Sequence, residues 1–368
     1  MKKSKVKMRQ VDFVLFATIM LLVAIGVVMV YSASSYYSAF KLNDPEYYLK
    51  KQFMWACVGS VFMFMAIKID YHSIKKYTGI IMLITIILLV AVFAFPPINF
   101  SKRWIPLGFA NFQPSEIAKY TIVLYMAKSL DIKGEKVKEF LKGIVPYLLV
   151  SGFYAGLILA EPNLSIAAII MIVTVIILFA VGARFFHLFA IGSALVAAVV
   201  AATLLAPYRM ARLMNFRNPW ADSQGKGYQL VQSLLALGSG GITGAGIGQS
   251  RQKCLYIPEP HTDFIFAVIG EELGLIGCTF IILLFIIFVW RGIKTAVTAK
   301  DMYGTILGIG ITSVVAIQAV INIAVVTGSM PVTGVPLPFI SYGGSALVIN
   351  MFAMGILLNI SRQTVNKN

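Results

Sequence analysis

Long apolar runs separated by short polar segments make up most of the chain. A helix needs about 17 to 25 apolar residues to cross the hydrocarbon core of a bilayer. Runs that approach or reach this length recur at 11–31, 52–69, 79–95, 115–127, 144–159, 165–183, 185–205, 264–290, 302–327 and 339–360. Membrane β-strands would instead alternate apolar and polar residues over about ten positions. The pattern therefore predicts an all-α polytopic membrane protein, a ten-transmembrane-helix bundle that forms one integral membrane domain over residues 1–368.

Composition strengthens this prediction. Hydrophobic residues make up 59% of the chain and charged residues only 12%, against about 25% charged residues in soluble globular domains. The three cysteines and three histidines are scattered over the chain without the spacing of a disulfide framework or a metal site. The first apolar run has no convincing cleavage site, so we expect it to be retained as a span.

The basic residues predict how the bundle lies in the membrane. Short cytoplasmic loops carry an excess of Lys and Arg, and Lys2, Lys3, Lys5, Lys7 and Arg9 precede the first span. Ten spans then place both termini in the cytoplasm. The longest connection, residues 206–263 between the seventh and eighth spans, becomes a large extracytoplasmic loop. We therefore expect a multi-pass protein of the cytoplasmic membrane.

The net charge of +16 mainly reflects this orientation. The cytoplasmic loops are short and lack interleaved aromatic residues, which argues against nucleic-acid binding. Six basic residues stand apart because they fall in the large outer loop: Arg209, Arg212, Arg217, Lys226, Arg251 and Lys253. They form either an ordinary solvated surface or an electrostatic funnel for an anionic substrate at the outer leaflet.

The predicted outer loops hold most of the unusual local sequences. Arg103 and Trp104 precede a Pro- and Gly-containing turn, and residues 327–344, which include Ser341, are dense in Pro and Gly. Backbone of this kind near membrane depth must be buried in protein or line a watery cavity. The sequence therefore predicts a cavity that opens on the outer face, where we expect the active site.

Asp263 is the most conspicuous candidate for chemistry. It follows Pro258, Glu259, Pro260, His261 and Thr262 and is followed at once by an apolar span. A carboxylate at the mouth of a span is costly, and such residues are functional candidates by default.

Other charged residues lie within the predicted spans. Glu116 and Lys119 are three residues apart and share a helix face. They are either a locally neutralised pair or a site in which Lys119 faces a carboxylate of another helix or a phosphate. Glu271 and Glu272 on the eighth span are further carboxylates, and we favour a network with Lys119 near Asp263.

A glycine-rich stretch at 238–248 resembles a nucleotide-binding loop only superficially. Phosphate loops of that type need a preceding strand and a following helix, whereas here the stretch follows a short amphipathic helix over 228–237. It is better interpreted as a re-entrant or flexible surface loop. The polar run that follows, with Arg251, Gln252 and Lys253, is a candidate to hold sugar hydroxyls or a pyrophosphate, the alternative being a polar loop surface.

The runs at 103–119, 225–274 and 331–345 closely resemble the SEDS family (shape, elongation, division and sporulation), and the resemblance covers essentially the whole chain. The segment 256–274 is the most specific. Its ending, Gly270, Glu271 and Glu272, is more similar to the cell-division and sporulation branch than to the rod-elongation branch.

The resemblance implies a peptidoglycan glycosyltransferase that polymerises lipid II, a pyrophosphate-linked isoprenoid saccharide, at the outer face of the membrane. It also implies a class B penicillin-binding protein as transpeptidase partner, further division or sporulation proteins, and Asp263 as the catalytic residue. We interpret Asp263 as a general base. The leaving pyrophosphate needs positive charge from Arg209, Arg212, Arg251, Lys253 or a divalent cation, and Arg103, Trp104, Glu116, Lys119, Gln252, His261 and Ser341 are further candidates for substrate binding.

One turn departs from the family pattern, which often has Asp, Leu or Phe, Gly and Thr where this chain has Asn163, Leu164, Ser165 and Ile166. A base or cation ligand at Asn163 would be lost, with Glu161 as a compensating carboxylate. Two alternative functions stay open beside the glycosyltransferase. Intramembrane charges and broken spans suit a lipid II flippase or other transporter, and a noncatalytic divisome scaffold would use Asp263 only as a structural cap.

Overall fold

The protein is described by a computed structural model that covers residues 10–97, 101–108, 111–134, 138–225 and 227–363, apart from the side chains of residues 202 and 207–209. Twelve α-helices are found in the described ranges. They are α1 Phe13–Leu42, α2 Tyr47–Lys68, α3 Tyr71–Ala91, α4 Pro114–Lys133, α5 Val145–Ala160, α6 Leu164–Ala180, α7 Phe185–Leu204, α8 Pro207–Arg217, α9 Tyr228–Gly240, α10 Ile265–Val297, α11 Met302–Val326 and α12 Gly344–Arg362.

Short elements complete the fold. Single helical turns occur at Val92–Ala94 and Pro219–Asp222, and a five-residue π-helix at Phe140–Ile144 leads into α5. Strand β1 Ile105–Pro106 pairs antiparallel with β2 Asn111–Phe112 just before α4. This hairpin, with two residues in each strand, is a minor exception to the predicted all-α class.

Polar residues at the ends of the apolar runs start the helices. The carboxylates of Asp12, Asp70 and Asp301 accept hydrogen bonds from backbone N–H groups in the first turns of α1, α3 and α11. Such caps satisfy donors that a helix cannot pair internally. Pro114 lies in the first turn of α4, as the sequence predicted, where its missing N–H costs nothing.

Six helical stretches are long and apolar enough to cross a membrane by length and composition: Phe13–Leu42, Tyr71–Ala94, Phe140–Ala160, Ile265–Val297, Met302–Val326 and Gly344–Arg362. The other four predicted spans correspond to α2, α4, α6 and α7. The first two carry several charged residues, and the apolar stretches of α6 and α7 are shorter. The structure therefore has several helices suited to span a membrane. The predicted total of ten spans requires α2, α4, α6 and α7 to cross the membrane as well.

The segment 206–263 contains two helices, α8 and α9. The predicted amphipathic helix at 228–237 is present as α9, which packs against α10 and α11. Ser233 Oγ of α9 donates a hydrogen bond of 2.8 Å to the Val326 carbonyl of α11. Helix α8 lies beside the end of α7.

The glycine-rich stretch forms backbone hydrogen bonds with α10 at a break in that helix. Gly274 has φ 64° and ψ −163°, which interrupts the 33-residue helix. The carbonyls of Glu271 and Glu272 accept from Ala245 and Gly246, and the amides of Leu275 and Ile276 donate to Gly241 and Ile242, at 2.9 to 3.2 Å. Lipid cannot satisfy such freed groups. The stretch therefore pairs the backbone groups that the break leaves free.

Candidate active site

Asp263 lies two residues before α10 and is half-buried. Its backbone carbonyl accepts a hydrogen bond of 2.7 Å from Asn322 Nδ2, which also donates to the Val335 carbonyl at 2.7 Å. Gly334, with φ 74°, faces the carboxylate so closely that an added Cβ would lie 3.3 Å from Asp263 Oδ2. None of the described side chains forms a hydrogen bond or salt bridge with that carboxylate. Its backbone is held while its carboxylate stays available.

The surroundings make Asp263 more basic than an ordinary aspartate. Burial and the negative charge of Glu259 raise its pKa to about 6, while the positive charges of Arg103 and Arg212 oppose that rise. Desolvation disfavours the charged form of a carboxyl group, and a like charge does the same. The carboxylate is therefore mostly ionised at neutral pH and binds a proton more readily than usual.

Arg103 and Arg212 line a cavity of about 320 Å³. The cavity lies between the turn that joins α5 to α6, the ends of α7 and α8, and residues 330–333. Arg103 donates to the backbone carbonyls of Glu161, at 3.2 Å, and Pro162, and Arg212 donates to Val332 at 3.3 Å. Apolar side chains of α7, among them Val199 and Leu204, form the opposite wall. Two preorganised cations and an apolar wall suit a lipid with an anionic headgroup.

Lys119 does not join Asp263 as the sequence suggested. Its Nζ lies 2.8 Å from Glu116 Oε2 on the same helix, and both side chains are buried. The charges that shift the pKa of Asp263 do not include Lys119. Of the two alternatives left open by the sequence, the structure forms the locally neutralised pair.

Glu271 and Glu272 are also engaged elsewhere. Glu271 accepts hydrogen bonds from the amides of Arg251, at 2.8 Å, and Gln252, at 3.2 Å. Glu272 Oε1 forms a buried salt bridge of 2.8 Å with Lys253 Nζ. The charge of Lys253 is therefore neutralised, whereas the Arg251 side chain is exposed. Lys226 and the side chain of Arg209 lie outside the described residues.

His261 and Ser341 support the segment that carries Asp263. The His261 ring is buried among Tyr37, Tyr48 and Tyr342 at centroid distances of 5.7, 4.1 and 5.6 Å. Burial lowers the pKa of His261 to about 4, so the ring is neutral at pH 7 and offers no positive charge to a phosphate. Ser341 Oγ donates to the Thr262 carbonyl at 2.7 Å and accepts from the Leu337 amide at 2.8 Å. Its hydroxyl is thus already paired.

The turn that departs from the family pattern still starts α6 with a helix cap. Asn163 caps α6 by accepting from the Ile166 amide at 3.3 Å, a role that Asn and Asp fill equally well. Glu161 is fully buried, and its carboxylate oxygens have no hydrogen-bond partner within the described chain. Burial raises the pKa of Glu161 to about 8 against the opposing charge of Arg103. Trp104 is half-buried and directly precedes β1.

Sequence reasoning missed Asn322. An amide side chain in the last turns of an apolar helix was the available signal, because such a group, once buried, needs hydrogen-bond partners. Among the described residues, no group of three or more His, Cys, Asp or Glu side chains is arranged to hold a metal ion.

Comparison with known proteins gives consistent results. A family model described as "Cell cycle protein", for FtsW, RodA and SpoVE, matches residues 12–366. Stage V sporulation protein E of Bacillus subtilis (strain 168) is 42% identical over 355 residues, which cover 95% of this chain and 97% of the relative. A Geobacter sp. (strain M18) protein named "Probable peptidoglycan glycosyltransferase FtsW" is 40% identical over 354 residues, 95% of this chain and 96% of the relative.

Solved structures share the fold. A chain of a peptidoglycan synthase complex that coordinates polymerization and crosslinking matches with a TM-score of 0.79 and 25% identity, over 96% of this chain and 98% of that chain. Rod shape determining protein RodA of Thermus thermophilus matches with a TM-score of 0.72 and 24% identity, over 97% and 98% of the two chains.

Proposed function

The chain belongs to the FtsW, RodA and SpoVE family of cell cycle proteins, and from that premise we propose that it is a peptidoglycan glycosyltransferase of cell division or sporulation. The resemblance to the SEDS family inferred from the sequence is confirmed. Its substrate is lipid II, which it polymerises into glycan strands. The observation that carries the proposal is the carboxylate of Asp263, which no described side chain pairs and which experiences the positive charges of the two arginines of the 320 Å³ cavity.

The proposed reaction assigns a role to each of these groups. A hydroxyl oxygen of the acceptor sugar attacks the anomeric carbon of the donor, and the bond from that carbon to the pyrophosphate oxygen breaks. Asp263 takes the hydroxyl proton, which its raised pKa favours. Arg103 and Arg212 stabilise the charge that develops on the pyrophosphate, since fixed cations act most strongly in a partly dry site. The apolar wall of α7 holds the first part of the lipid chain.

The proposed topology is ten spans with both termini in the cytoplasm and the active site outside. The even span count and the basic segment before α1 support this arrangement. Residues 206–263 then lie on the extracytoplasmic side with Asp263 at their end. The partner proposed for cross-linking is a class B penicillin-binding protein, by analogy with the synthase complex whose fold is shared.

Polymerisation of labelled lipid II by the purified protein with its transpeptidase partner tests the proposal. We expect wild type to form glycan polymer and Asp263→Asn to lose at least about 100-fold in rate, the usual contribution of a positioned base. Asp44→Asn is the matched control, because Asp44 lies in the exposed turn between α1 and α2. Equal polymer yield from Asp263→Asn would refute the general-base role. Transbilayer movement of lipid II in proteoliposomes without polymer would favour the transporter instead.

A further inference from the structure

A second and larger cavity, of about 820 Å³, opens between α1 and residues 247–256. It shares no lining residue with the cavity at Arg103 and Arg212. Its volume is within the range of about 300 to 1,000 Å³ that small-molecule sites occupy. The two cavities are therefore separate places where a ligand could bind.

The floor of the larger cavity is rigid and electrically neutral. Ser32 Oγ of α1 donates to the Glu272 carboxylate, and Lys253 Nζ lies 2.8 Å from Glu272 Oε1 and 3.2 Å from Ser32 Oγ. All three side chains are buried. Since Lys253 and Glu272 cancel each other's charge, the floor fixes the shape of the cavity without attracting an ion.

Arg251 supplies the charge. Its backbone amide is anchored to Glu271 Oε1 at 2.8 Å, so its position in the cavity wall is fixed. Its side chain is exposed and makes no hydrogen bond or salt bridge within the described chain. A guanidinium is always protonated at physiological pH and presents N–H donors in a fork that matches a phosphate. The wall of this cavity thus presents a guanidinium that no described residue pairs and that is available to bind an anion.

The rim suits an amphiphile. Tyr31, Tyr36, Ile247 and Tyr256 line the cavity and are 41%, 47%, 59% and 53% exposed. Tyr side chains concentrate at membrane–water interfaces because the ring is apolar and the hydroxyl is polar. Apolar rings beside a free guanidinium fit a ligand with a hydrocarbon chain and a phosphorylated headgroup.

We propose that this cavity binds a second pyrophosphate-linked isoprenoid saccharide, with Arg251 as the ligand of its pyrophosphate. The proposal rests on the proposed function, because polymerisation joins two lipid-linked molecules and the cavity at Arg103 and Arg212, at about 320 Å³, is too small to hold both. Asp263 follows Tyr256 by seven positions in the chain, which places their Cα atoms within about 25 Å of each other. Asp263 lines neither cavity, so the proposal requires the headgroup bound in each cavity to extend toward it.

Cys254 provides a direct measure of occupancy, because it lines this cavity and is partly exposed. A Cys57→Ser, Cys278→Ala variant keeps Cys254 as the single thiol, and Asp263→Asn added to it prevents turnover. The rate of maleimide labelling of Cys254 is measured in phosphatidylcholine vesicles with increasing lipid II. We expect saturable protection of at least about fivefold. Phosphatidylglycerol at the same mole fraction should give none.

The role of Arg251 is tested by substitution in the same assay. Arg251→Gln should raise the lipid II concentration needed for half protection by about tenfold, the effect of losing one charge-assisted hydrogen bond, and Arg251→Lys should recover part of it. Arg217→Gln is the control, because Arg217 is exposed on α8 and lines neither cavity.

Two results would overturn the proposal. Labelling of Cys254 that lipid II leaves unchanged would show that the cavity is not a substrate site, and equal protection by phosphatidylglycerol would reassign it to bulk lipid. The proposed function is judged separately, by polymer formation with the wild-type protein. Polymer formation without protection of Cys254 would therefore refute only this second site.

Discussion

The raised pKa of Asp263 predicts an unusual dependence of activity on pH. With a pKa of about 6, the base is about 90% ionised at pH 7 and about 10% ionised at pH 5. Because only the ionised form accepts the proton of the acceptor hydroxyl, kcat/KM should fall about tenfold between these values. An aspartate with the ordinary pKa of 3.8 would lose only about 6% over the same interval.

Two substitutions should move the midpoint in opposite directions. Glu259→Gln removes the negative charge that raises the pKa of Asp263, so the acid limb should shift to lower pH. Arg212→Gln removes a positive charge that lowers this pKa, so the limb should shift to higher pH as the overall rate falls. Glu46→Gln is the control for a lost surface charge, since Glu46 is 54% exposed and absent from the charges that act on Asp263.

The assay is the initial rate of lipid II polymerisation from pH 4.5 to 8 at substrate concentrations below KM. Ionisation of the substrate is common to all variants, so only the differences between their midpoints report on Asp263. The general-base argument is wrong if the wild-type midpoint lies near pH 4, or if Glu259→Gln and Arg212→Gln move it in the same direction.

Three further substitutions test the contacts around the site. Asn322→Leu removes the hydrogen-bond donor of the Asp263 and Val335 carbonyls, and each unpaired carbonyl should cost about 1 to 3 kcal/mol of stability. Both the polymerisation rate and the melting temperature should fall. Unchanged activity would show that Asp263 does not need this support. Lys119→Met should destabilise by about 3 to 5 kcal/mol because it leaves Glu116 buried and unpaired, and the double variant Glu116→Leu, Lys119→Met should recover most of that loss in a thermal unfolding assay. Gly274→Ala should lower the melting temperature markedly, because φ is 64° and the added Cβ would overlap neighbouring backbone, whereas Gly152→Ala in the open space around α5 should be nearly neutral.

Local sequence predicted much of the fold because crossing a bilayer is a local requirement. Apolar runs identified the positions of the long helices, and Pro114 marked the start of α4. Asp263 could be found by the same logic, since a carboxylate beside an apolar run is costly wherever the chain folds.

Partner choice was less predictable, because it depends on residues far apart in the chain. Lys119 had a candidate partner on its own helix and others on another span, and only the packing decides between them. The interactions of Glu271 and Glu272 depend on the break at Gly274, which brings residues 245–253 against α10. Asn322 was visible as a polar residue in an apolar run, but its two acceptors lie 59 and 13 residues away.

The contacts that hold Asp263 involve its backbone and not its carboxylate. Upstream, Glu271 and Glu272 hold residues 250–253, and Ser341 holds the carbonyl of Thr262. At Asp263 itself, Asn322 holds the carbonyl oxygen. An acid that served only as a structural cap would use its carboxylate as a hydrogen-bond acceptor, as Asp12 does in α1. Asp263 is instead fixed through main-chain atoms, which leaves both carboxylate oxygens for an incoming hydroxyl and favours a catalytic role over a scaffolding one.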